Sequence, residues 1–446
     1  MGENETPLPG KGMIIKQEGV IIMSELKKCY EMEALVPKFP YMPKDEWQGR
    51  IKKAKGLMAD KGIDALLLFN RKNQVYYFGW VKPYPYVYPA AGIVPRDGPV
   101  TFCTEVLGIN NLELKGYAER AVGFRGDPRA PTPIAAEPVE AIAELLKDLG
   151  LGKGTIAVDK GEFSWWDTFT LAEWEKLTSL LPEVKWVDAM TTIVWSQRNI
   201  KSLWEQGVIR KLMYATAKGY MKGVEVALPG INEKDVFRAM VDVWFDEGII
   251  DSIYDMRVLQ TSRNIATSFY EDHILEEGDY IFLDGGPSYK EYMADMQRQI
   301  WIGSPDKLEK LYPGFRKWVA AAEVAHIEIE DIIKPGTTLG ELWQKGHEVL
   351  VRYLGKEYWD VIRSPRWIGW VGHNQGLYYH EPPYVVEGEP AELKPGMVVC
   401  VELPALDLEK RVWINMPENV YLITEKGFEP LTDMLGPNGV YIKYRV

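Results

Sequence analysis

The segment PGMVVCVELPA, residues 395–405, has the pattern of a buried strand that ends in an acid. Five residues of strand core precede Glu402, at a position where the pattern predicts another apolar side chain. A buried carboxylate costs several kcal/mol unless it is paired or bound to a cation. The segment YIFLDGG repeats this anomaly, because Asp284 ends a second apolar run. Both acids therefore need partners.

Two further acids and one imidazole stand on or beside apolar segments of the same kind. Asp295 lies eleven residues after Asp284, and a hairpin between them would bring the two carboxylates together. Glu418 begins the segment ENVYLIT, and His373 follows a glycine in VGHNQG. Taken singly, each of these residues fits an ion pair, a turn cap or a hydrogen-bonded core histidine. As a set, four carboxylates and one imidazole suit Mn²⁺, Fe²⁺, Co²⁺ or Zn²⁺ and are enough to bridge two ions.

The amino-terminal half of the chain alternates helical and strand-like segments. In DEWQGRIKKAKGLMADKGIDALLLFN, residues 45–70, apolar residues recur at helical spacing until Gly62, and the apolar run ALLLF follows. The alternation continues to about residue 190 through VTFCTEV, EPVEAIAELLKDLGLG and GTIAVDK. This pattern predicts an open α/β domain.

Beyond a boundary near residue 195, helical and strand-like segments are grouped in blocks, which indicates α+β architecture. We therefore predict an α+β protein in three parts. They are an amino-terminal extension over residues 1–44, the α/β domain over 45–194 and a domain over 195–446 that carries the acids.

Composition and charge narrow the class of protein. Hydrophobic residues make up 46% and charged residues 26% of the 446 residues, which is typical of a folded globular protein. A net charge of −12 without a long basic cluster argues against nucleic acid as a partner. Three cysteines without C-x-x-C spacing indicate a reduced, intracellular setting. Because the chain has no secretory signal and no apolar run of about 18 residues, we expect a cytoplasmic protein without a membrane span.

Several segments carry a family resemblance. The stretch PGMVVCVELPA is similar to the motif P-G-M-V-x-x-x-E-P, NVYLITEKGFEPLT to D-x-x-L-V-T-E-x-G-x-E-x-L-T, and VGHNQGLYYHEPPYV to G-H-G-I-G-x-x-x-H-E-x-P. These are motifs of metallopeptidase family M24, which includes methionine aminopeptidase, Xaa-Pro aminopeptidase, prolidase and creatinase. The stretch RIKKAKGLMADKGIDALLLFN also resembles the creatinase/prolidase amino-terminal domain. The resemblance covers nearly the whole chain and implies that this domain precedes a pita-bread catalytic domain.

The resemblance also implies a site and a reaction. It makes five residues the metal ligands: Asp284, Asp295, His373, Glu402 and Glu418. The implied enzyme is a metal-dependent hydrolase of the Xaa-Pro aminopeptidase or dipeptidase type, in which two divalent ions share a water and direct hydroxide at an amide carbonyl. Glu402 would shuttle the proton. His380, seven residues after His373, would contact the substrate carbonyl and the oxyanion formed from it.

The sequence departs from the family pattern at positions where family members contact their substrate. Peptidase members carry a Pro-His pair shortly before the first aspartate, whereas Ser268 and Phe269 stand there in this chain, and His273 comes four residues later. Met416 replaces an arginine that usually precedes the last glutamate. These departures leave an alternative of the same fold, an enzyme that acts on a zwitterion or onium compound as creatinase, ectoine hydrolase or dimethylsulfoniopropionate lyase does. Lyase chemistry is less favoured, because Tyr379 occupies the position of that group's acid.

Aromatic residues suggest where a substrate binds. The segment YYFGWVKPYPYVYP, residues 76–89, holds more rings than one strand can bury, so some should line a groove that takes a proline ring or an onium cation. The candidate substrate-binding residues are Trp80, Phe269, His273 and Tyr378. The resemblance further implies a homodimer in which one subunit's amino-terminal domain covers its neighbour's site. A binding module without activity would be expected to have lost ligands, and all five ligand positions keep coordinating side chains.

Overall fold

The computed structural model describes residues 42–80, 90–124, 138–160, 170–249, 260–261, 272–356, 358, 369–407, 412–436 and 439–444. The candidate residue Phe269 and the aromatic segment 81–89 lie outside these ranges. In the part of the chain that is described, no helix combines the length and the apolar character needed to cross a bilayer.

Among the described residues the first helix is α1 (Lys44–Lys61), which agrees with the helix that the sequence predicts before Gly62. Asp45 and Glu46 lie in its first turn and Lys61 in its last, where each charge complements the helix dipole. Gly62 ends the helix with φ 64°, a left-handed conformation that glycine adopts without steric cost. The strand predicted after it follows directly.

The first sheet is built from alternating strands and helices. In chain order these are β1 (Ala65–Leu68), α2 (Arg71–Phe78), β2 (Ala91–Pro95), β3 (Thr101–Thr104), α3 (Val106–Lys115), β4 (Arg120–Gly123), α4 (Pro138–Asp148), β5 (Gly154–Val158), α5 (Leu171–Leu180) and β6 (Val184–Asp188). Within the described residues the six strands have the order β4-β3-β2-β1-β5-β6, with β1 antiparallel to β2 and parallel to β5. Ala65 and Leu67 pack in one apolar cluster and Leu66 and Leu68 in another, so β1 is covered on both faces.

A helical segment joins this sheet to the second one. It contains a π-helical turn (Met190–Val194), α6 (Trp195–Arg198), α7 (Leu203–Val226) and α8 (Glu233–Asp246). Ser202 and Glu205 form a capping box that starts α7. Helices α7 and α8 approach closely at Gly219, where a Cβ atom would lie 2.2 Å from Nε1 of Trp244. The domain boundary near residue 195 stays a prediction.

Beyond residue 260 the described residues form the second sheet, which carries three of the predicted acids, together with helices and two small two-stranded sheets. The elements are β7 (Gln260–Thr261), β8 (Tyr280–Asp284), β9 (Ser288–Tyr289), β10 (Tyr292–Met293), β11 (Gln297–Ile302), α9 (Pro305–Leu311), α10 (Phe315–Glu330), α11 (Leu339–Leu354), β12 (Gly372–Asn374), β13 (Val398–Glu402), β14 (Ala405–Asp407), β15 (Val412–Asn415), β16 (Glu418–Thr424), β17 (Gly427–Pro430) and β18 (Val440–Lys443). Eight strands of the described ranges form one sheet with the central order β12-β13-β16-β11-β8-β7, in which β17 lies beside β16 and β18 beside β11.

Alternate residues of β13 pack against different helices. Val399 and Val401 belong to an apolar cluster with residues of α10 and α11. Val398 and Cys400 belong to another cluster with residues of α7 and α8. Because side chains alternate along a strand, Glu402 extends from the same side of β13 as Cys400.

The small hairpin β9–β10 lies between Asp284 and Asp295 and contacts the first domain. Its tip, Lys290 and Glu291, has φ values of 49° and 68°, which is the conformation of a two-residue hairpin turn. The Glu291 carboxylate lies 3.2 Å from Nζ of Lys72, which also donates to the Glu291 carbonyl at 2.8 Å. The first domain therefore holds the loop that separates the two aspartates.

Candidate metal centre

Strand register brings the predicted acids together. Gln297, the first residue of β11, lies opposite both Asp284 on β8 and Glu418 on β16. Glu418 in turn lies opposite Glu402 on β13. The four side chains therefore form a row across adjacent strands in the order Asp284, Gln297, Glu418 and Glu402.

His373 and Asp295 complete the cluster. His373 lies opposite Cys400 on the neighbouring strand. Its Nε2 atom is 3.4 Å from Glu418 Oε1, 3.7 Å from Asp295 Oδ2 and 3.8 Å from Glu402 Oε1. Ligand atoms of Asp284, Asp295 and Glu418 lie within 4.8 Å of one another. All five residues that the sequence predicts as ligands thus meet in one place, and their role as ligands stays a prediction.

Burial makes this cluster electrostatically unfavourable without a cation. Burial, together with the negative charges of Glu418 and Asp284, raises the pKa of Glu402 well above its ordinary value. Burial also raises the pKa of Glu418 and lowers the pKa of His373 to about 4. Positive charge among these carboxylates would stabilise their ionised forms.

The atoms of the cluster fit a metal ion. Among the described residues, neither Nε2 of His373 nor the carboxylate oxygens of Glu418 have a hydrogen-bond partner apart from the neighbouring Cys400, although both side chains are buried. Nδ1 of His373 lies 3.0 Å from the Asn374 carbonyl, an arrangement that places the ring proton on Nδ1 and leaves the lone pair of Nε2 for a metal. A donor set of carboxylates with one imidazole suits divalent transition ions.

Two side chains hold Glu402. Gln297 Nε2 donates to its Oε2 atom at 3.2 Å, and Trp370 Nε1 donates to its Oε1 atom at 2.8 Å. Trp370 also stacks on Tyr384 at a centroid distance of 4.5 Å and lies 5.2 Å from the His380 ring. The sequence analysis did not predict the contact between Trp370 and Glu402.

The loop between the two histidines folds back on itself. Backbone hydrogen bonds join Asn374 and Glu381 in both directions, at 3.0 and 2.8 Å. This pairing brings the rings of His373 and His380 to a centroid distance of 4.4 Å and His380 Nε2 to 3.5 Å from Asp295 Oδ2. The His380 side chain keeps 25% exposure, whereas His373 keeps 1%, so His380 is the more accessible of the two imidazoles.

Glu381 fixes this loop from the inside. Its carboxylate accepts hydrogen bonds from the backbone N–H groups of Leu377 and Tyr378, at 3.1 and 3.3 Å. It also pairs with Arg198 of α6, and both side chains are 1% exposed. Arg198 in turn donates to Oδ1 of Asn73 in the first domain, at 2.9 Å. Sequence reasoning missed this pair, for which the only local signal is an acid directly after His380.

The residues predicted to bind substrate do not all lie at the acid cluster. Trp80 is buried in the first domain, where Nε1 donates to the Gly108 carbonyl at 3.1 Å, so the structure does not bring it to the acids. His273 is bonded to Asp279 at 2.7 Å, outside the cluster. Tyr378 lies in the loop between the histidines, but its hydroxyl is buried and donates to Oδ1 of Asn70 at 2.8 Å.

Comparisons with known proteins agree with this architecture. The family model for metallopeptidase family M24 matches residues 207–437, and the model for the creatinase/prolidase N-terminal domain matches residues 50–200. The Xaa-Pro dipeptidase of Pyrococcus furiosus is 26% identical over 388 residues, which cover 86% of this chain and 97% of that protein. The ectoine hydrolase of Halomonas elongata is 24% identical over 422 residues, which cover 90% of this chain and 98% of that protein.

A solved structure supports the fold independently. The crystal structure of dipeptidase PepE from Mycobacterium ulcerans has a TM-score of 0.71 to this chain at 20% identity, and the match covers 90% of this chain and 99% of that one. The creatinase-type first domain and the pita-bread catalytic domain predicted from sequence are therefore confirmed. Because the M24 model spans more than half of the chain and includes all five clustered side chains, this protein is a hydrolase that belongs to metallopeptidase family M24.

Proposed function

We propose that the protein hydrolyses the amide bond of short Xaa-Pro peptides, as an aminopeptidase or a dipeptidase. The observation that carries this proposal is that four acids and His373 lie in one cluster, with the half-buried His380 beside them. The similarity to a Xaa-Pro dipeptidase over most of both chains supports the choice of substrate class.

The metal ligands in this proposal are the five clustered residues, which would hold two divalent ions: Asp284, Asp295, His373, Glu402 and Glu418. The candidate ions are Mn²⁺, Co²⁺, Fe²⁺ and Zn²⁺, all of which suit a donor set rich in oxygen with one nitrogen. Such ions, when bound, lower the pKa of water towards neutrality and polarise a carbonyl group.

The protein's own side chains supply proton transfer and charge stabilisation. Glu402, oriented by Gln297 and Trp370, accepts a proton from the attacking water and passes it to the leaving nitrogen. His380 donates from Nε2 to the carbonyl oxygen as negative charge develops there, which is worth about 3 kcal/mol for one such donor. The rigid loop closed by Asn374 and Glu381 keeps His380 in position for this contact.

A second candidate function uses the same site on a different substrate. The similarity to an ectoine hydrolase over 90% of this chain favours a small zwitterionic compound as the alternative. The stacked rings of Trp370 and Tyr384 beside His380 suit an onium group as well as a proline ring, since both bind to aromatic faces. We further propose that the enzyme works as a cytoplasmic homodimer.

A substrate panel on metal-loaded protein tests both candidates. Protein loaded with Mn²⁺ or Co²⁺ is assayed with Xaa-Pro dipeptides and tripeptides, and in parallel with ectoine, creatine and betaine-like compounds. Hydrolysis of Ala-Pro that is lost in His380→Ala, with metal content unchanged, supports the first proposal. The matched control is His273→Ala, because His273 is bonded to Asp279 outside the cluster. Turnover of zwitterions alone would replace the first proposal by the second, and protein that binds no metal would contradict both.

A further inference from the structure

A cysteine faces the metal centre in addition to the five predicted ligands. Cys400 precedes Glu402 by two residues on β13, so both side chains extend from the same side of the strand. His373 lies directly opposite Cys400 on β12. The Sγ atom, an imidazole nitrogen of His373 and a carboxylate oxygen of Glu418 all lie within 4.8 Å of one another.

The other two members of this group lack hydrogen-bond partners outside it. Among the residues that the structure describes, Nε2 of His373 and both carboxylate oxygens of Glu418 have no such partner beyond the group, and these side chains are 1% and 0% exposed. Buried polar atoms are almost always satisfied, so atoms like these indicate a ligand. The cysteine therefore stands beside two side chains that independently point to a cation.

The surroundings of the sulfur fix its position. Sγ of Cys400 lies 3.1 Å from Oε1 of Gln375, and Nε2 of Gln375 donates to the Met293 carbonyl at 2.6 Å. Glu418 is a second hydrogen-bonding neighbour of the thiol. Cys400 itself is fully buried, so the sulfur is shielded from solvent.

We propose that Cys400 is a further metal ligand, and that the subsite formed by His373, Glu418 and Cys400 takes a thiophilic divalent ion such as Zn²⁺ or Co²⁺ in preference to Mn²⁺. This inference rests on the proposed metal centre and adds the chemical preference of one of its ions. Thiolate sulfur selects Zn²⁺ over the ions that carboxylates alone accommodate. On binding, a sulfur–metal bond forms and the thiol proton passes to solvent.

Absorption spectroscopy of the Co²⁺ form tests the proposal without a substrate. Cobalt bound to sulfur gives an intense charge-transfer band in the near ultraviolet, whereas cobalt bound only to oxygen and nitrogen does not. The wild-type protein titrated with Co²⁺ should show this band, and Cys400→Ser should lose it. The matched control replaces the chain's other two cysteines, Cys29 and Cys103, by serine and should keep the band.

Competition between ions gives a second readout. Cys400→Ser should bind Zn²⁺ at least about tenfold more weakly relative to Mn²⁺, because even the outer partners of metal ligands change affinity by about that factor. Cys400→Thr provides a second variant in case the serine protein does not fold. Full cobalt binding by the wild type without the band would overturn the inference and leave the proposed metal centre standing. Failure to bind any ion would overturn both.

Discussion

Replacing Arg198 with methionine should destabilise the protein by about 3–5 kcal/mol, the typical cost of removing one partner of a buried ion pair. Arg198 and Glu381 are each 1% exposed, so the variant leaves a carboxylate in the protein interior. Lys201 stays as a second cation, with its Nζ atom 3.5 Å from the Glu381 carboxylate, so the expected cost lies towards the lower end of this range. The variant also removes the hydrogen bond to Oδ1 of Asn73 in the first domain.

A more exposed ion pair serves as the control for this loss of stability. Arg210 binds both carboxylate oxygens of Glu429, but the two side chains are 24% and 29% exposed. Arg210→Met should therefore cost only about 0–1 kcal/mol. Midpoints of urea denaturation of the metal-free proteins at one pH compare the two variants.

A double variant tests whether Arg198 and Glu381 contribute to stability as a pair. Arg198→Met combined with Glu381→Gln removes both charges but keeps an acceptor for the loop's backbone N–H groups. We expect it to be less destabilised than the sum of the two single variants, because neither member of the pair is left charged and buried without the other. An Arg198→Met protein as stable as Arg210→Met would refute this reasoning, and so would strict additivity in the double variant.

Three further predictions concern other parts of the molecule. His380→Ala should lower kcat for a cleaved peptide by about 100- to 1000-fold, with metal content unchanged, as steady-state kinetics and metal analysis will show. Burial lowers the pKa of His326 to about 3, and unfolding restores its ordinary value of 6.5. Its contribution to stability is therefore complete above pH 6.5 and is lost as the pH falls towards 3, by at most about 1.4 kcal/mol per pH unit. The variant His326→Gln should flatten that part of the pH profile of urea denaturation. Gly219→Ala should cost about 1–3 kcal/mol through its contact with Trp244, whereas Gly56→Ala, in open space on α1, should raise the thermal midpoint.

The sequence predicts the elements of the site better than their surroundings. Glu402 and Asp284 are recognisable because an acid at the end of an apolar strand is unusual, and this signal is local. The hairpin proposed between Asp284 and Asp295 is present as the antiparallel pair β8–β11, with the smaller hairpin β9–β10 inserted between them. Such an insertion depends on contacts with the first domain, which local patterns do not contain.

Long-range contacts explain what the sequence did not reveal. Arg198 and Glu381 are 183 positions apart, and nothing in either segment alone indicates their pairing. Trp80 illustrates the same difficulty, because an aromatic residue next to a proline-rich segment fits a groove as well as a core. Its burial against Phe102, at a centroid distance of 4.9 Å, follows from the packing of the first sheet.

The contact between Lys72 and Glu291, at the tip of the hairpin β9–β10, limits which amino-terminal domains can be fused to this catalytic domain. A foreign amino-terminal domain fused to the catalytic half would arrive without the cation that holds Glu291, and the segment between Asp284 and Asp295 would lose its anchor. Chimeras of such enzymes should therefore take residues 71–72 and 290–291 from the same parent, because a change on one side of this contact requires a matching change on the other.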